Sequence, residues 1–181
     1  GIETDRLFTS VMTDHGKLGK SLADAVIQGK AVKVGILSGN QSQLGMRQRL
    51  KSVKDKLEEA GIEISWILSE KELDKKMRNV EYFAEQPVDT VISLDNDDTE
   101  KAVDIILNDD RISWKLYGEG RSEKLIYYLD KGTIQELAVP NEYYMGYQSI
   151  VLAAQNIRYY TDKTEQAEVE FYMVSKDNLY D

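Results

Sequence analysis

The segment KVGILSGN, residues 33–40, decides the fold, because a short apolar run gives way to a loop and then to a helix. A single apolar stripe with helical spacing follows the loop, and Gly61 is expected to end that helix. The next apolar run, IEISWIL at residues 62–68, has the length and the β-branched content of a strand. The sequence therefore predicts a strand, a helix and a second strand. The stripe consists of Met46, Leu50, Val53 and Leu57.

The same alternation continues along the rest of the chain. Strand–helix–strand units of this length indicate a mostly parallel sheet covered by helices. We predict an α/β fold with a doubly wound, mostly parallel sheet and helices on both faces. The predicted strands are residues 32–37, 62–68, 88–94, 112–117, 134–139 and 169–174. Further helical stripes are residues 18–27 and the set Leu73, Met77, Val80 and Phe83.

Ligands of such sheets bind beyond the carboxyl ends of the strands. The loops that follow the predicted strands are therefore the first place to search for a site. They begin at Ser38, Ser69, Asp95, Gly118 and Pro140.

The composition excludes several classes of site. The 181-residue chain has a formal net charge of −9, no cysteine and a single histidine, His15. Disulfides, thiolate nucleophiles, cysteine-ligated zinc and any site that needs two histidines are excluded. An acidic surface repels phosphate backbones, so nucleic-acid binding by this segment is disfavoured. No stretch approaches the roughly 18–20 apolar residues that span a bilayer.

No motif in the sequence singles out a catalytic group. A hydrolase needs two carboxylates at a fixed separation or an activated nucleophile, and neither is marked here. The acidic run DNDDTE at residues 95–100 lacks the glycine and the distant glutamate of a calcium loop. We therefore expect a ligand-binding protein without metal or cofactor rather than an enzyme.

Several of these segments resemble the type I periplasmic sugar-binding proteins and LacI-like regulators, similar to the ribose-binding type. KVGILSGN with the following Arg47 and Arg49 resembles the entry to the family's second lobe. VDTVISLDNDD at residues 88–98 resembles a family strand that ends in an Asn/Asp cluster. The most extensive match is residues 116–150, which follow the family order of strand, glycine turn, helix, hinge strand and helix start.

The resemblance covers nearly the whole chain but begins partway through the family pattern. It implies a single lobe of a two-lobed fold, with the first lobe missing. Residues 1–13 are then a remnant of the first lobe with a hinge crossing, and residues 14–139 are the second, ligand-binding lobe. Residues 140–168 are a hinge and a helix that would return to the first lobe, and residues 169–181 are the final strand and tail.

Arg47 is the leading candidate for a ligand contact. By resemblance it matches the family's binding arginine, and a guanidinium bridges adjacent sugar hydroxyls or grips a carboxylate. We expect its guanidinium to lie near the strand ends at Leu94 and Tyr117. Arg49 is expected to face solvent or to buttress a neighbour, and His15 to be a loop residue before a helix.

The other ligand-binding candidates also follow strand ends. The resemblance places either Asp95 or Asn96 on the family's sugar-binding asparagine, although both residue types are also common N-caps. The ribose-type pattern has an aspartate where Gly120 stands, so Arg121 is a candidate that would favour an acidic or more heavily oxygenated ligand. Asn141 is the remaining candidate.

The hinge implied by the resemblance comprises Thr13, Asp14, Pro140, Asn141 and Glu168. The implied function is that of the sugar receptor of an ABC-type importer, extracytoplasmic, lipid-anchored through an upstream segment and docking on a membrane permease. Two alternatives stay open, the cytoplasmic effector domain of a LacI-like regulator and the extracellular input domain of a sensor kinase. A homodimer through the surface that would face the first lobe is also expected.

Overall fold

The structure, a computed structural model, describes residues 9–79, 81–159 and 165–180. The strands are β1 (Thr9–Met12), β2 (Lys33–Leu37), β3 (Glu63–Leu68), β4 (Thr90–Ser93), β5 (Lys115–Glu119), β6 (Ile134–Pro140), β7 (Glu165–Glu168) and β8 (Phe171–Ser175). The helices are α1 (His15–Gln28), α2 (Leu44–Glu59), α3 (Glu70–Lys76), α4 (Glu81–Glu85), α5 (Asn96–Asn108), α6 (Glu123–Asp130) and α7 (Glu142–Tyr159), with a 3-10 turn at Lys176–Asn178.

A six-stranded sheet in the order β3-β2-β4-β5-β6-β8 forms the centre of the molecule. Strands β2 to β6 are mutually parallel and β8 is antiparallel to β6. Central strands of such a sheet are buried on both faces, which explains why β4 has no exposed residue. The mostly parallel, doubly wound α/β fold predicted from the sequence is confirmed.

Helices cover both faces of this sheet and create two apolar cores. On one face α1 and α2 pack together through fully buried residues such as Leu22 and Leu57. On the other face α3 to α6 enclose a second core, which contains Phe83 and Leu129. Because the strands are anchored from both sides, their carboxyl ends are held as one edge, and the loops there are fixed relative to one another.

A second, smaller element lies beside the main sheet. Strands β1 and β7 pair in parallel with each other and not with the six-stranded sheet, and α7 contacts β1. None of the residues of α7 is buried, which distinguishes it from the helices of the main sheet. Among residues 9–79, 81–159 and 165–180, no helix combines the length and hydropathy needed to cross a membrane.

Several sequence-based boundaries need correction. The single helical stripe predicted across Leu73, Met77 and Phe83 is interrupted, because α3 ends at Lys76 and α4 begins at Glu81; Val80 lies outside the described residues. The last predicted strand, 169–174, becomes the antiparallel β8, shifted towards the C-terminus. Strands β1 and β7 were not predicted. Of the implied segments, residues 1–8, 160–164 and 181 also lie outside the described residues.

Candidate functional site

A groove of about 340 Å³ lies at the carboxyl edge of the parallel strands. Residues that follow β2, β3 and β4, together with the last residue of β5, line it, as expected where the loops of successive parallel strands converge. Asn40, Gln43, Asn96 and Met46 supply its neutral surface. Its carboxylates are Glu70, Asp95, Asp97, Asp98 and Glu119.

Asp95 connects the end of β4 to α5 and faces the groove. One carboxylate oxygen, Oδ1, accepts a hydrogen bond from the backbone N–H of Asp98 at 2.9 Å, which makes Asp95 the N-cap of α5. The other oxygen, Oδ2, lies against Gly39, where any Cβ atom would collide with it. Gly39 also has φ of 63°, so this close approach between two loops depends on glycine.

Asn96 links two of the segments that form the edge of the groove. We call this edge, formed by the residues that line the groove, the rim. Its Oδ1 accepts a hydrogen bond from the backbone N–H of Arg121 at 3.2 Å, and its Nδ2 donates to Glu100 at 3.2 Å. Thr99 makes a similar link, because its hydroxyl lies 2.6 Å from the carbonyl of Asp95 and 2.8 Å from that of Glu119. The start of α5 and the end of β5 are therefore fixed to each other.

Arg49 is the arginine that reaches the strand ends. Its side chain is buried, Nη1 donates to the carbonyl of Leu94 at 2.5 Å, and the same atom lies 3.1 Å from a Glu119 carboxylate oxygen. Nε donates to Nδ1 of His15 at 3.1 Å. The expectation that Arg49 faces solvent is wrong, whereas the alternative that it buttresses its neighbours is correct.

Arg47, expected at the strand ends, does not line the groove. Its exposed guanidinium donates through Nη1 to the carbonyls of Gln41 at 3.1 Å and Ser42 at 2.9 Å, within its own loop. The predicted position beside Leu94 is therefore wrong. The physical reason is helical phase, because residues two apart on a helix point in directions about 200° apart. A ligand contact by Arg47 stays a prediction.

Glu119 is a rim residue that the sequence analysis missed. It is the last residue of β5, only 9% exposed, and burial raises the pKa of its carboxyl although Arg49 acts in the opposite direction. It stands one position before Gly120, where the ribose-type pattern implied an aspartate. The signal that identifies it is present in the sequence, since a carboxylate at the end of a buried strand needs a partner.

His15 is not a loop residue but the first residue of α1, packed against Gly45 and Arg49. Burial, followed by the positive charge of Arg49, lowers the pKa of its imidazole to about 4. The neutral ring therefore accepts a hydrogen bond from Arg49 and serves as part of the support behind the rim.

Arg121 and Asn141 do not line the groove. Arg121 Nε lies 3.3 Å from a carboxylate oxygen of Glu142, so the cation expected to favour an acidic ligand is paired within the chain. Asn141 accepts a hydrogen bond from the backbone N–H of Tyr144 at 3.0 Å, at the start of α7. Their proposed contacts with ligand stay predictions.

The residues predicted as hinge lie in three chain segments that contact one another. The N–H of Val169 donates to the carbonyl of Met12 at 2.9 Å, and the N–H of Asn141 donates to that of Glu170 at 3.4 Å. Glu168 is bound by Lys17 at 2.6 Å. Thr13 is buried, Asp14 caps α1 and Pro140 ends β6 opposite Phe171.

Asp98 carries the most perturbed carboxyl of the groove. It is fully buried, its Oδ2 has no hydrogen-bond partner among the described residues, and Lys101 lies 3.4 Å from Oδ1. Burial, followed by the negative charge of Asp95, raises the pKa of Asp98 to about 6. The ionised carboxylate therefore destabilises the fold at neutral pH.

Replacing Asp98 with asparagine is expected to raise the free energy of unfolding by about 1–2 kcal/mol at pH 7.5. Because the folded pKa is above the unfolded value, the folded wild type takes up its proton first as the pH falls through 6. The advantage of the variant should therefore fade between pH 7 and pH 4, as urea unfolding at several pH values would measure. Asp97→Asn, at an exposed residue, is the control. If the difference in unfolding free energy between Asp98→Asn and the wild type did not change with pH, the raised pKa of Asp98 would be contradicted.

Among residues 9–79, 81–159 and 165–180, no three His, Cys, Asp or Glu side chains are arranged to hold a metal ion. The side chains that line the groove are mainly carboxylates and amides. A polar groove at the carboxyl ends of a mostly parallel sheet identifies this chain as an α/β protein with a candidate ligand site at the place where such sheets bind their ligands.

The comparison with known protein families agrees with an α/β protein that has a ligand site. The family model described as the periplasmic binding protein domain matches residues 2–160, and the chain belongs to that family. No curated protein matches the sequence.

Solved structures share the fold at low sequence identity. A carbohydrate transporter solute binding protein from Agrobacterium radiobacter, in complex with D-arabinose, is 17% identical with a TM-score of 0.87, and the match covers 100% of this chain and 65% of that one. The glucose-galactose binding protein GanP from Geobacillus stearothermophilus is 20% identical with a TM-score of 0.83, covering 99% and 66%. A protein described as a LacI transcriptional regulator from Bacteroides fragilis is 15% identical with a TM-score of 0.78, covering 95% and 63%.

This chain therefore spans between 63% and 66% of the length of these three structures.

Proposed function

We propose that this chain is the second lobe of a two-lobed, extracytoplasmic sugar receptor that delivers its ligand to the permease of an ABC-type importer. Membership in the periplasmic binding protein domain family carries the proposal. The similar structures described as a carbohydrate transporter solute binding protein and as a glucose-galactose binding protein support the ligand class. In this function the groove at the strand ends provides one wall of the binding cleft, and the second wall belongs to the other lobe.

The meeting of three chain segments near Met12, Asn141 and Glu168 supports a hinge at this place. These segments lie at the ends of β1, β6 and β7, where Met12 pairs with Glu168 at the end of the β1–β7 ladder and Lys17 contacts Glu168 at 2.6 Å. Such segments absorb the backbone rotation of domain closure, whereas packed helices and strands move as rigid bodies. Ligand would then close two lobes about residues 12–14, 140–141 and 168–170.

The exposed apolar side chains of α7 support the existence of a covering partner. Tyr143, Ile150 and Ile157 are 83%, 72% and 77% exposed, an unusual density of apolar surface for one helix. In the two-lobed receptor we propose that the first lobe covers this surface.

For the 181-residue chain alone we expect a homodimer through the same helix. Light scattering of the chain should give twice the monomer mass, and Ile150→Lys should restore the monomer because a charge would be buried at the contact. Val32→Lys, at an exposed apolar residue outside α7 that is 73% exposed, is the matched control. A wild-type monomer at high concentration would contradict the expectation.

Binding of a neutral sugar or a derivative of one to the two-lobed receptor is the direct test of the proposed function. Because a ligand stabilises the folded state by RT ln(1 + [L]/Kd), a ligand at 100 times its Kd adds about 2.7 kcal/mol. We expect at least one member of a panel of pentoses, hexoses, amino sugars and sugar acids to raise the Tm by several degrees. Absence of a shift with every member would contradict a sugar receptor.

A LacI-like effector domain is the second candidate function, supported by the similar structure from Bacteroides fragilis. Both candidates predict sugar binding, so a different observation separates them. DNA-binding helices encoded upstream of residue 1 would favour the regulator, and a signal peptide or a lipid-attachment cysteine there would favour the importer. The net charge of −9 disfavours DNA binding by this segment itself.

A further inference from the structure

The charge of the groove points to a narrower ligand class than sugars in general. Five carboxylate side chains line the groove, and within the part of the chain that the structure describes no lysine or arginine lines it. A negatively charged ligand would meet repulsion from several directions, because opposite or like charge across a binding surface largely determines which partner is accepted.

Cations close to the groove are already engaged. Arg49 is occupied by Glu119 and the carbonyl of Leu94, as described above. Lys101 lies 2.8 Å from Asp74 and 3.4 Å from Asp98. These contacts leave Glu70, Asp95 and Asp97 without an ion pair among the described residues, so much of the negative charge is uncompensated.

Asp98 provides an independent observation that points to a ligand in the groove. Its side chain is fully buried, yet one of its two carboxylate oxygens has no hydrogen-bond partner among the described residues. Leaving a buried charged acceptor unpaired is costly, and native proteins rarely do so without a functional reason. The nearby negative charge of Asp95 adds to the cost and contributes to the raised pKa of Asp98.

We propose that the ligand places a protonated amine in this groove, so that the receptor takes a cationic amino-polyol such as an amino sugar. The inference rests on the proposed receptor function. An ammonium group donates three hydrogen bonds and would satisfy carboxylate oxygens of the groove that accept none from the described residues. Sugar acids and sugar phosphates would add negative charge to a groove that already contains five carboxylates, and they are expected not to bind.

Matched pairs of ligands test the proposal on the two-lobed receptor. Calorimetric titrations would compare D-glucosamine with D-glucose, D-galactosamine with D-galactose, and glucamine with sorbitol, and would include glucuronate and glucose 6-phosphate. We expect the amine of at least one pair to bind at least about tenfold more tightly than its neutral partner. The preference should shrink at high ionic strength, since it is electrostatic.

A charge-neutral variant separates this amine preference from general sugar binding. Asp95→Asn keeps an N-capping side chain of the same shape but removes one charge, so the ratio of amine to neutral affinity should fall severalfold towards one. Asp110→Asn, which removes the same charge from an exposed loop before β5, should leave the ratio unchanged.

The possible outcomes distinguish the two proposals. Equal or tighter binding of the neutral sugars would overturn the amine proposal and leave the sugar receptor intact. Tight binding of glucuronate or glucose 6-phosphate would also overturn the amine proposal without contradicting the sugar receptor. Binding of none of the probes would contradict both the amine proposal and the receptor function.

Discussion

Replacing Arg49 with methionine is expected to lower the free energy of unfolding by roughly 3–5 kcal/mol. Methionine fills a similar volume, so the loss comes from polar groups and not from a cavity. Glu119 would be left as a buried carboxylate without its cation, and the carbonyl of Leu94 and Nδ1 of His15 would each lose a donor. Urea unfolding followed by circular dichroism measures the change.

Arg47→Met is the matched control for that experiment. It removes the same group two residues earlier in the same helix, but from an exposed position that bonds only to its own loop. We expect a change within about 0.5 kcal/mol. If Arg47→Met were the more destabilising of the two, the assignment of Arg49 as the arginine at the strand ends would be wrong.

A double-mutant cycle then isolates the ion pair. Glu119→Gln in the Arg49→Met background removes the unpaired buried charge, so it should recover part of the lost stability. Arg49→Lys keeps the charge but lacks the planar fork that contacts Leu94, Glu119 and His15 together, so an intermediate loss is expected. A cycle in which the two changes are simply additive would show that the 3.1 Å contact contributes no coupling.

Replacing Phe83 with alanine is expected to cost about 3–5 kcal/mol of unfolding free energy. Phe83 is 1% exposed and makes edge contacts with Trp66 and Trp114, at ring-centroid distances of 6.0 and 5.3 Å. It is the only buried residue of the five-residue helix α4, so its removal leaves a cavity and also loosens the helix. Urea unfolding followed by both circular dichroism and tryptophan fluorescence measures the effect.

Tyr127→Ala is the control for the aromatic deletion. Tyr127 is 55% exposed, and its loss should cost less than about 1 kcal/mol because little apolar area leaves the core. The loss of unfolding free energy for Phe83→Leu should fall between those for Phe83→Ala and Tyr127→Ala, because leucine fills part of the space that the phenylalanine ring occupies. A small loss for Phe83→Ala would show that α4 does not anchor this side of the sheet.

Part of the groove at the strand ends was predictable from the sequence alone. Four of the five predicted loops contribute residues to the groove, Asp95 and Asn96 among them, whereas the loop at Pro140 does not. Glu119 could not be placed from the sequence alone, because its cation Arg49 lies 70 residues earlier in the chain. Arg49 was misplaced although it lies four residues before Val53 and eight before Leu57, on the buried stripe of α2. Its helical phase was readable from the sequence.

By itself the sequence determined the period of its apolar residues, and hence the parallel strands, the helices on both faces and the edge where a ligand would lie. These features are local, because a strand or a helix is set by the spacing of its own side chains and by the residues that end it. The tertiary structure alone decided the pairing of β1 with β7, the partners of Arg49 and the burial of Asp98. Such contacts join residues far apart in the chain, and their energy exists only once the packed sheet has excluded water and brought the charges together.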